Sequence, residues 1–418
     1  MKKNFYTGIM TGLCGALLIF SILGAVYLFM DTKTDGYNQD DRFESINDET
    51  DDTNEANSEY TQIIEKLEFL ELLIDKYYLE EVDQNLFADA IYKGFMKSLK
   101  DPYSTYYTQE EYKALMESSS GVYHGIGTTV SQNAKTGIIT IVKPFESSPA
   151  HEAGLLPGDI LYKVEDEEVT GVDLSEVVSR MKGKEGTSVN ITVIRENVSE
   201  PIELNIVRRE IKVPTVEYKM LDDKIGLITI LEFDEVTVNQ FDRAVTELEK
   251  AGMQGLVVDV RNNPGGLLSG VVKMLDRLLP EGLLVYTEDK YGNRLEEPAK
   301  NPDQINVPLA VLINGNSASA SEIFAGAIQD YEKGTIVGTT SFGKGIVQKV
   351  IPLSDGTAVK LTISKYFTPK GRNIHGTGIE PDVKVELKDE LKQMTTIPVE
   401  EDNQLQEALR VIKEKIYK

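Results

Sequence analysis

The stretch VPLAVLINGNSASASEIFAGAIQD, residues 307–330, changes its period halfway along. Its first seven residues are almost all apolar and rich in Val, Leu and Ile, as in a strand buried on both faces. From Ser321 the pattern becomes helical. Between the two lie Asn, Gly and three serines at alternate positions, Ser317, Ser319 and Ser321. A buried strand that runs straight into a helix is half of an α/β crossover. The same alternation recurs on both sides. KIGLITI (224–230), GLVVDV (255–260) and GTIVGT (334–339) are apolar strands, and TVNQFDRAVTELEKAG (237–252) and SGVVKMLDRLL (269–279) are amphipathic helices. Residues 209–388 therefore read as an α/β core with parallel strands. A capped amphipathic helix, DNQLQEALRVIKEKI, closes the C-terminal segment 389–418 and could pack on its own domain or on a second copy.

Toward the N-terminus the character changes. Residues 119–208 hold short β-branched strands, GIITIV and VNITVI, broken by Gly/Pro turns, with one amphipathic helix opened by Asp173 and closed by Gly183. Residues 60–118 are helical in period: Ile63, Leu67, Leu70 and Ile74 form one stripe, and Leu86, Ala90 and Phe95 begin another. Such stripes are core before they are site. In KDPYSTYYTQEEY, Pro102 stops a helix, and Thr108 with Glu111 forms a capping box for the next. Residues 31–59 are Asp-, Glu-, Asn- and Thr-rich and read as a disordered acidic tether. Residues 5–30 carry no charge, and about 20 apolar residues suffice to cross a bilayer. Lys2 and Lys3 precede them and acidic residues follow, so residues 1–30 are expected to be a signal-anchor. It would make a single-pass protein of the cell membrane, with its N-terminus cytoplasmic and the remainder extracytoplasmic. The run exceeds the apolar region of a cleaved signal peptide, and no A-x-A-like site follows it.

Composition excludes several functions. The 418 residues carry 44 Lys+Arg against 68 Asp+Glu, a net charge of −24, which argues against nucleic acid as a partner. The single Cys14 lies in the apolar run, which rules out an intrachain disulfide or a Cys-based metal site.

Three places in the α/β region are awkward for structure alone. DVRNNPGGLL (259–268) ends a strand with Pro264, Gly265 and Gly266, leaving N–H groups exposed at a sharp turn. The serine ladder sits at a strand-to-helix junction, where N–H groups and the helix dipole favour negative charge. Such donors stabilise an oxyanion in acyl transfer by roughly 3 kcal/mol each. Finally, TTSFGKGIVQ (339–348) sets Lys344 between two glycines among the apolar Phe342, Ile346 and Val347. A serine nucleophile needs a base. His124 and His151 belong to the small β module, and His375 has no acidic neighbour to orient it. Lysine can serve if burial keeps it neutral. On the residues alone, a serine–lysine site and a serine-rich cap beside a surface lysine both fit.

The serine ladder and the FGKGIVQ stretch together resemble the catalytic region of the C-terminal processing peptidases, or tail-specific proteases. DPYSTYY, GIGTTV…SPAHEAGLLPGDIL, DVRNNPGGLL and TPKGRNIHGTGIEPD resemble that family's further motifs, in its order, and cover nearly everything after Tyr60. The resemblance implies an α+β multidomain protein: an N-terminal helical region, a PDZ-like β module and an α/β peptidase core of the ClpP/crotonase kind. It implies a serine endopeptidase with Ser319 as nucleophile, Lys344 as base and Gln348 orienting the lysine amine. The oxyanion donors would be the N–H of Ala320 and one from the glycine turn, Gly265 or Gly266. No metal or cofactor is implied. The PDZ module would hold protein substrates by their C-terminal tails, with Gly125, Ile126 and Gly127 of YHGIG at the carboxylate. Many relatives carry an arginine where MKGKEGT has Lys182, and lysine cannot form the same bidentate fork. Terminal helices of the family often pair, so a homodimer is expected. The rival from another class is a non-catalytic, membrane-tethered PDZ scaffold.

Overall fold

The computed structural model describes residues 53–417 apart from 303, 393, 395 and 396. The chain divides between Gln84 and Asn85 into two compact units. The first contributes one described helix, α1 (Thr53–Tyr77). Residues 53–59, expected as the end of the tether, are thus helical, and the rest of the tether lies outside the described residues. The α1 stripe is not a core. Ile63 and Leu70 are 53% and 43% exposed, because no second described element of this unit faces them.

The expected membrane placement is corrected here. No helix among the described residues is long and apolar enough to cross a bilayer. The run 5–30 with Cys14, on which a single-pass anchor rested, lies outside those residues.

The second unit opens with α2 (Asn85–Lys97), β1 (Thr105–Tyr107) and α3 (Gln109–Ser120). Thr108 and Glu111 cap α3 as a reciprocal box, as their spacing predicts. A short strand, β2 (Val122–Gly125), leads into the PDZ-like module. There β3 (Thr128–Gln132), β4 (Ile139–Pro144), α4 (Pro149–Glu152), β5 (Ile160–Val164), β6 (Glu167–Glu168), α5 (Leu174–Met181), β7 (Ser188–Ile194) and β8 (Ile202–Val207) follow. Its sheet runs β3-β4-β5-β7-β8, with β6 against β5, so β3 is an edge. Ile139, Ile141, Leu161, Val177, Val189 and Ile191 fill its core. The strand β9 (Arg209–Lys212) returns to pair with β2.

The α/β core then follows as β10 (Val216–Met220), β11 (Ile225–Ile230), α6 (Glu235–Lys250), β12 (Gly255–Asp259), α7 (Leu268–Asp276), β13 (Gly282–Asp289), β14 (Arg294–Ala299), β15 (Leu309–Ile313), α8 (Ala320–Asp330), β16 (Gly334–Gly338), β17 (Ile346–Pro352), β18 (Ala358–Phe367), β19 (Val383–Lys384) and α9 (Asn403–Ile416). Its main sheet runs β10-β11-β12-β15-β16-β19, parallel except for β10. Both faces are buried, which is why its strands read as continuous apolar runs. One face packs Ile228, Val258 and Val311 with Phe241, Val271 and Phe324 of α6, α7 and α8. The other packs Leu227, Val257 and Leu312 on Leu405, Leu409 and Ile412. The closing helix α9 thus lies on its own domain. A second, antiparallel sheet joins β13, β14, β17 and β18 with β1. The strands β17 and β18 are mostly half-buried, so they form no continuous apolar run and the sequence pattern does not single them out.

Candidate active site

The parallel strands β12 and β15 end side by side, so the PGG turn and the serine ladder emerge together. The three serines then part company. Ser317 is fully buried and its hydroxyl donates to Val260 O at 2.7 Å. Ser321 is equally buried and donates to Asn263 O at 2.9 Å. Both tie the two strand ends together. Only Ser319 is partly exposed, and its backbone is held at φ 55°, ψ −114°. That left-handed conformation is strained for a side chain, by about 1–3 kcal/mol. It turns the hydroxyl off the strand at the N-terminus of α8, as at a nucleophile elbow.

The strain is held by Glu322. Its side chain is fully buried and accepts four hydrogen bonds. Oε2 takes Ser319 N and Lys344 N, each at 2.8 Å. Oε1 takes Gly343 N at 2.7 Å and Ser341 Oγ at 2.5 Å. One carboxylate oxygen thus binds the amides of both Ser319 and Lys344, which are separated by at most twice that distance. From sequence, Glu322 is only a helix-first-turn carboxylate favoured by the dipole. Its second role depends on a loop 20 residues further on, and no local pattern announces it.

The glycines beside Lys344 also gain a reason. A Cβ at Gly345 would lie 2.5 Å from His375 N, and one at Gly343 3.1 Å from Gly378 N. The NIHGTG loop (373–378) packs directly on the lysine loop, and side chains there would push it off. His375 itself is exposed, as are His124 and His151. Phe342, expected to shelter the lysine, is 57% exposed. Shelter comes instead from KDPYS: the Lys344 amine lies 4.6 Å from the centre of the Tyr103 ring. Burial pulls the Lys344 amine below its ordinary value, and the charge of Lys360 adds to this, while Asp101 and Glu322 oppose it. Among the described residues no carboxylate pairs with that amine within 4.0 Å.

Gln348 sits on β17, where the register with β18 shifts. Its amide donates to Thr362 Oγ1 at 3.4 Å and not to Lys344. Thr362 N in turn donates to Ser104 Oγ at 3.0 Å, and Ser104 donates to Asp101 at 2.5 Å. Burial raises the Asp101 carboxyl, but its hydrogen bonds from Ser104, Thr362 and Tyr103 and the charge of Lys344 hold it below its ordinary value. At the PGG turn, a Cβ on Gly265 would lie 2.8 Å from Ser319 Cβ and 3.0 Å from Ala320 N, so only glycine brings this backbone against the serine. Gly265 N donates to Asn263 Oδ1 at 2.8 Å. Among the described residues, the N–H groups of Ala320 and Gly266 have no acceptor. In the PDZ-like module, Gly125 ends β2, and Ile126 and Gly127 lead into β3; the carbonyls of Ile126 and Gly127 are taken by Ala150 N and Phe145 N.

Comparison with known proteins gives this geometry a family. The model of peptidase family S41 matches residues 224–385, that of the PDZ domain residues 141–195, and that of the activating protease CtpB N-terminal domain residues 21–111. A carboxy-terminal-processing protease of Bartonella bacilliformis is 38% identical over 340 residues, covering 80% of this chain and 77% of that one. A CtpA-like serine protease of Staphylococcus haemolyticus is 36% identical over 356 residues, covering 84% of this chain and 70% of the other. A crystal structure of an S41 protease from Bacteroides fragilis is 18% identical with a TM-score of 0.52, over 81% of this chain and 93% of that one, a likeness of fold. The chain belongs to peptidase family S41, as a carboxy-terminal-processing serine protease with a PDZ domain.

Proposed function

We propose that Ser319 and Lys344 form the catalytic pair. The observation that carries this reading is the shared Glu322 oxygen, which fixes the strained Ser319 beside the Lys344 loop. Neutral Lys344 takes the Ser319 hydroxyl proton as Oγ attacks the peptide carbonyl carbon, and the carbonyl electron pair moves onto oxygen. That oxyanion rests on the Ala320 N–H and on one from the glycine turn. Gly266 is the unengaged donor there; Gly265 would first have to leave Asn263. Collapse reforms the carbonyl and expels the amine, which takes its proton from the Lys344 ammonium. Lys344 then deprotonates a water that attacks the acyl-serine, releasing the new carboxyl end and restoring the Ser319 hydroxyl. Gln348 is assigned to orient the lysine amine. Its 3.4 Å contact with Thr362 is long enough to yield to a rotation.

The PDZ domain is assigned to hold protein C-terminal tails, added as a strand on the open edge of β3 with the carboxylate near Gly125, Ile126 and Gly127. The exposed apolar side chains of α1, among them Ile63, Ile64, Phe69 and Leu73, support a homodimer through that helix. The test is digestion of an unstructured substrate by the purified protein. Ser319→Ala and Lys344→Ala should each abolish cleavage with the fold retained. Amidating the substrate's C-terminus should slow cleavage by the unaltered enzyme. Full cleavage by folded Ser319→Ala would refute the assignment.

A further inference from the structure

The groove that should take a tail, between the edge strand β3 and helix α5, is narrow. The cavity left in it is about 40 Å³, lined by Tyr123, Ile126, Thr128, Val178, Met181 and Lys182. That is room for a few waters, with the Tyr123 ring among its walls. Five of these residues are the expected walls and floor of a peptide groove. The sixth, Tyr123, comes from β2, which pairs with β9 in a separate two-stranded sheet.

Tyr123 is fixed from both sides. A Cβ at Gly125 would lie 2.8 Å from its ring, so the ring lies against the backbone of the loop. The Lys182 amine stands 5.0 Å from the ring centre and is paired with Glu117 of α3 at 3.0 Å. The phenol oxygen faces the backbone N–H groups of Gly127 and Thr128 without closing a hydrogen bond to either. Burial outweighs the pull of those N–H groups and pushes the phenol up to about 12, so it stays protonated and neutral there.

We propose, building on the tail-recognition reading above, that Tyr123 is a built-in plug of the PDZ groove. Its ring stands in the slot of a tail's last side chain, and its hydroxyl stands in front of the N–H groups that the tail's carboxylate needs. A tail therefore binds by turning Tyr123 out. The tails that succeed end in an apolar residue able to replace the ring against Ile126, Val178 and Met181, with a free carboxylate to replace the hydroxyl. The plug would keep the domain from holding chain ends that satisfy only one of these two conditions.

The test is fluorescence anisotropy on the full chain carrying Ser319→Ala, which leaves the probe uncut. The probe is a fluorescein-labelled peptide ending in leucine, as free acid and as amide. A pocket open one-tenth of the time binds its ligand about tenfold more weakly, so adding Tyr123→Ala should tighten the free acid by about that factor. Tyr123→Phe keeps the ring and its packing but clears the space in front of the loop N–H groups. It should tighten the free acid by a smaller factor and leave the amide unchanged. If Tyr123→Ala fails to fold, the Phe variant decides alone. Free-acid binding that is unchanged or weaker in Tyr123→Phe overturns the plug and makes the hydroxyl a wall or a donor to the tail. If none of the proteins prefers the free acid to the amide, the tail-recognition reading fails first and the plug falls with it.

Discussion

Replacing Glu322 by Gln tests whether the serine and lysine are held as one piece. The substitution preserves shape and removes one acceptor oxygen. Whichever oxygen becomes the amide nitrogen, it will face two donors: either Ser319 N and Lys344 N, or Gly343 N and the Ser341 hydroxyl. Ser341 Oγ already accepts from Ile379 N at 2.6 Å, so its proton has no easy alternative. Two hydrogen bonds to a charged group contribute about 1.5–3 kcal/mol each, so the loss is roughly 3–6 kcal/mol. At about 2 °C per kcal/mol for a chain of this size, the melting temperature should fall by roughly 6–12 °C. Displacement of the serine by about 1 Å should lower kcat by about 100-fold, with KM little changed. Calorimetry and steady-state cleavage of a short peptide, both well below the melting point, read the two effects. A lowered melting temperature with kcat intact would refute the coupling and leave Glu322 a fold residue only. No change in either would refute the account of the clip.

Three further outcomes follow from the same geometry. Burial lowers the Lys344 amine from 10.5, so the folded state binds its proton less tightly than the unfolded chain does. Stability from this group therefore grows as pH rises through that window. Lys344→Met should melt higher than wild type near pH 7, and wild-type kcat/KM should fall on the acid side; equal melting temperatures and a flat profile from about pH 5 to 9 would count against a buried base. The Tyr103 ring favours the charged amine, so Tyr103→Leu should move the acid limb of the kcat/KM profile to lower pH while Tyr103→Phe restores it, and an unmoved limb would leave the ring with packing alone. Burial, with Glu232 adding, pushes the Asp234 carboxyl up to about 7. Here the folded state holds its proton to higher pH, so this contribution is full in acid and lost as pH rises through about 7; Asp234→Asn should raise the melting temperature at pH 8 and not at pH 4, as calorimetry at the two values would show.

What the sequence disclosed and what it withheld divide along contact range. The buried strands β11, β12, β15 and β16 announce themselves as apolar runs, and the capping box of α3 needs only Thr108 and Glu111. The antiparallel strands β17 and β18 carry no such signal, because their side chains are half-buried on a mixed surface. Equal spacing of Ser317, Ser319 and Ser321 could not say which was accessible, since that depends on Val260 and Asn263 reaching across from another strand. The two glycines around Lys344 were visible as a demand without a cause; the cause is a loop some 30 residues on. Tyr103 reaches the lysine from more than 200 residues away, on a segment whose local pattern, a proline stop and a helix cap, says nothing of a lysine. The stripe on α1 shows the opposite limit: periodicity says which side chains share a face, and not what covers them.

The central claim is that Ser319 forms the acyl bond and that Lys344 takes its proton. Mass spectrometry of an acid-quenched single turnover tests it most directly. The account predicts one acyl adduct, mapped to Ser319, whose rate of formation rises with pH and which is absent from folded Lys344→Ala protein. An adduct on another residue, or one that forms on Ser319 at an undiminished rate without Lys344, would contradict it.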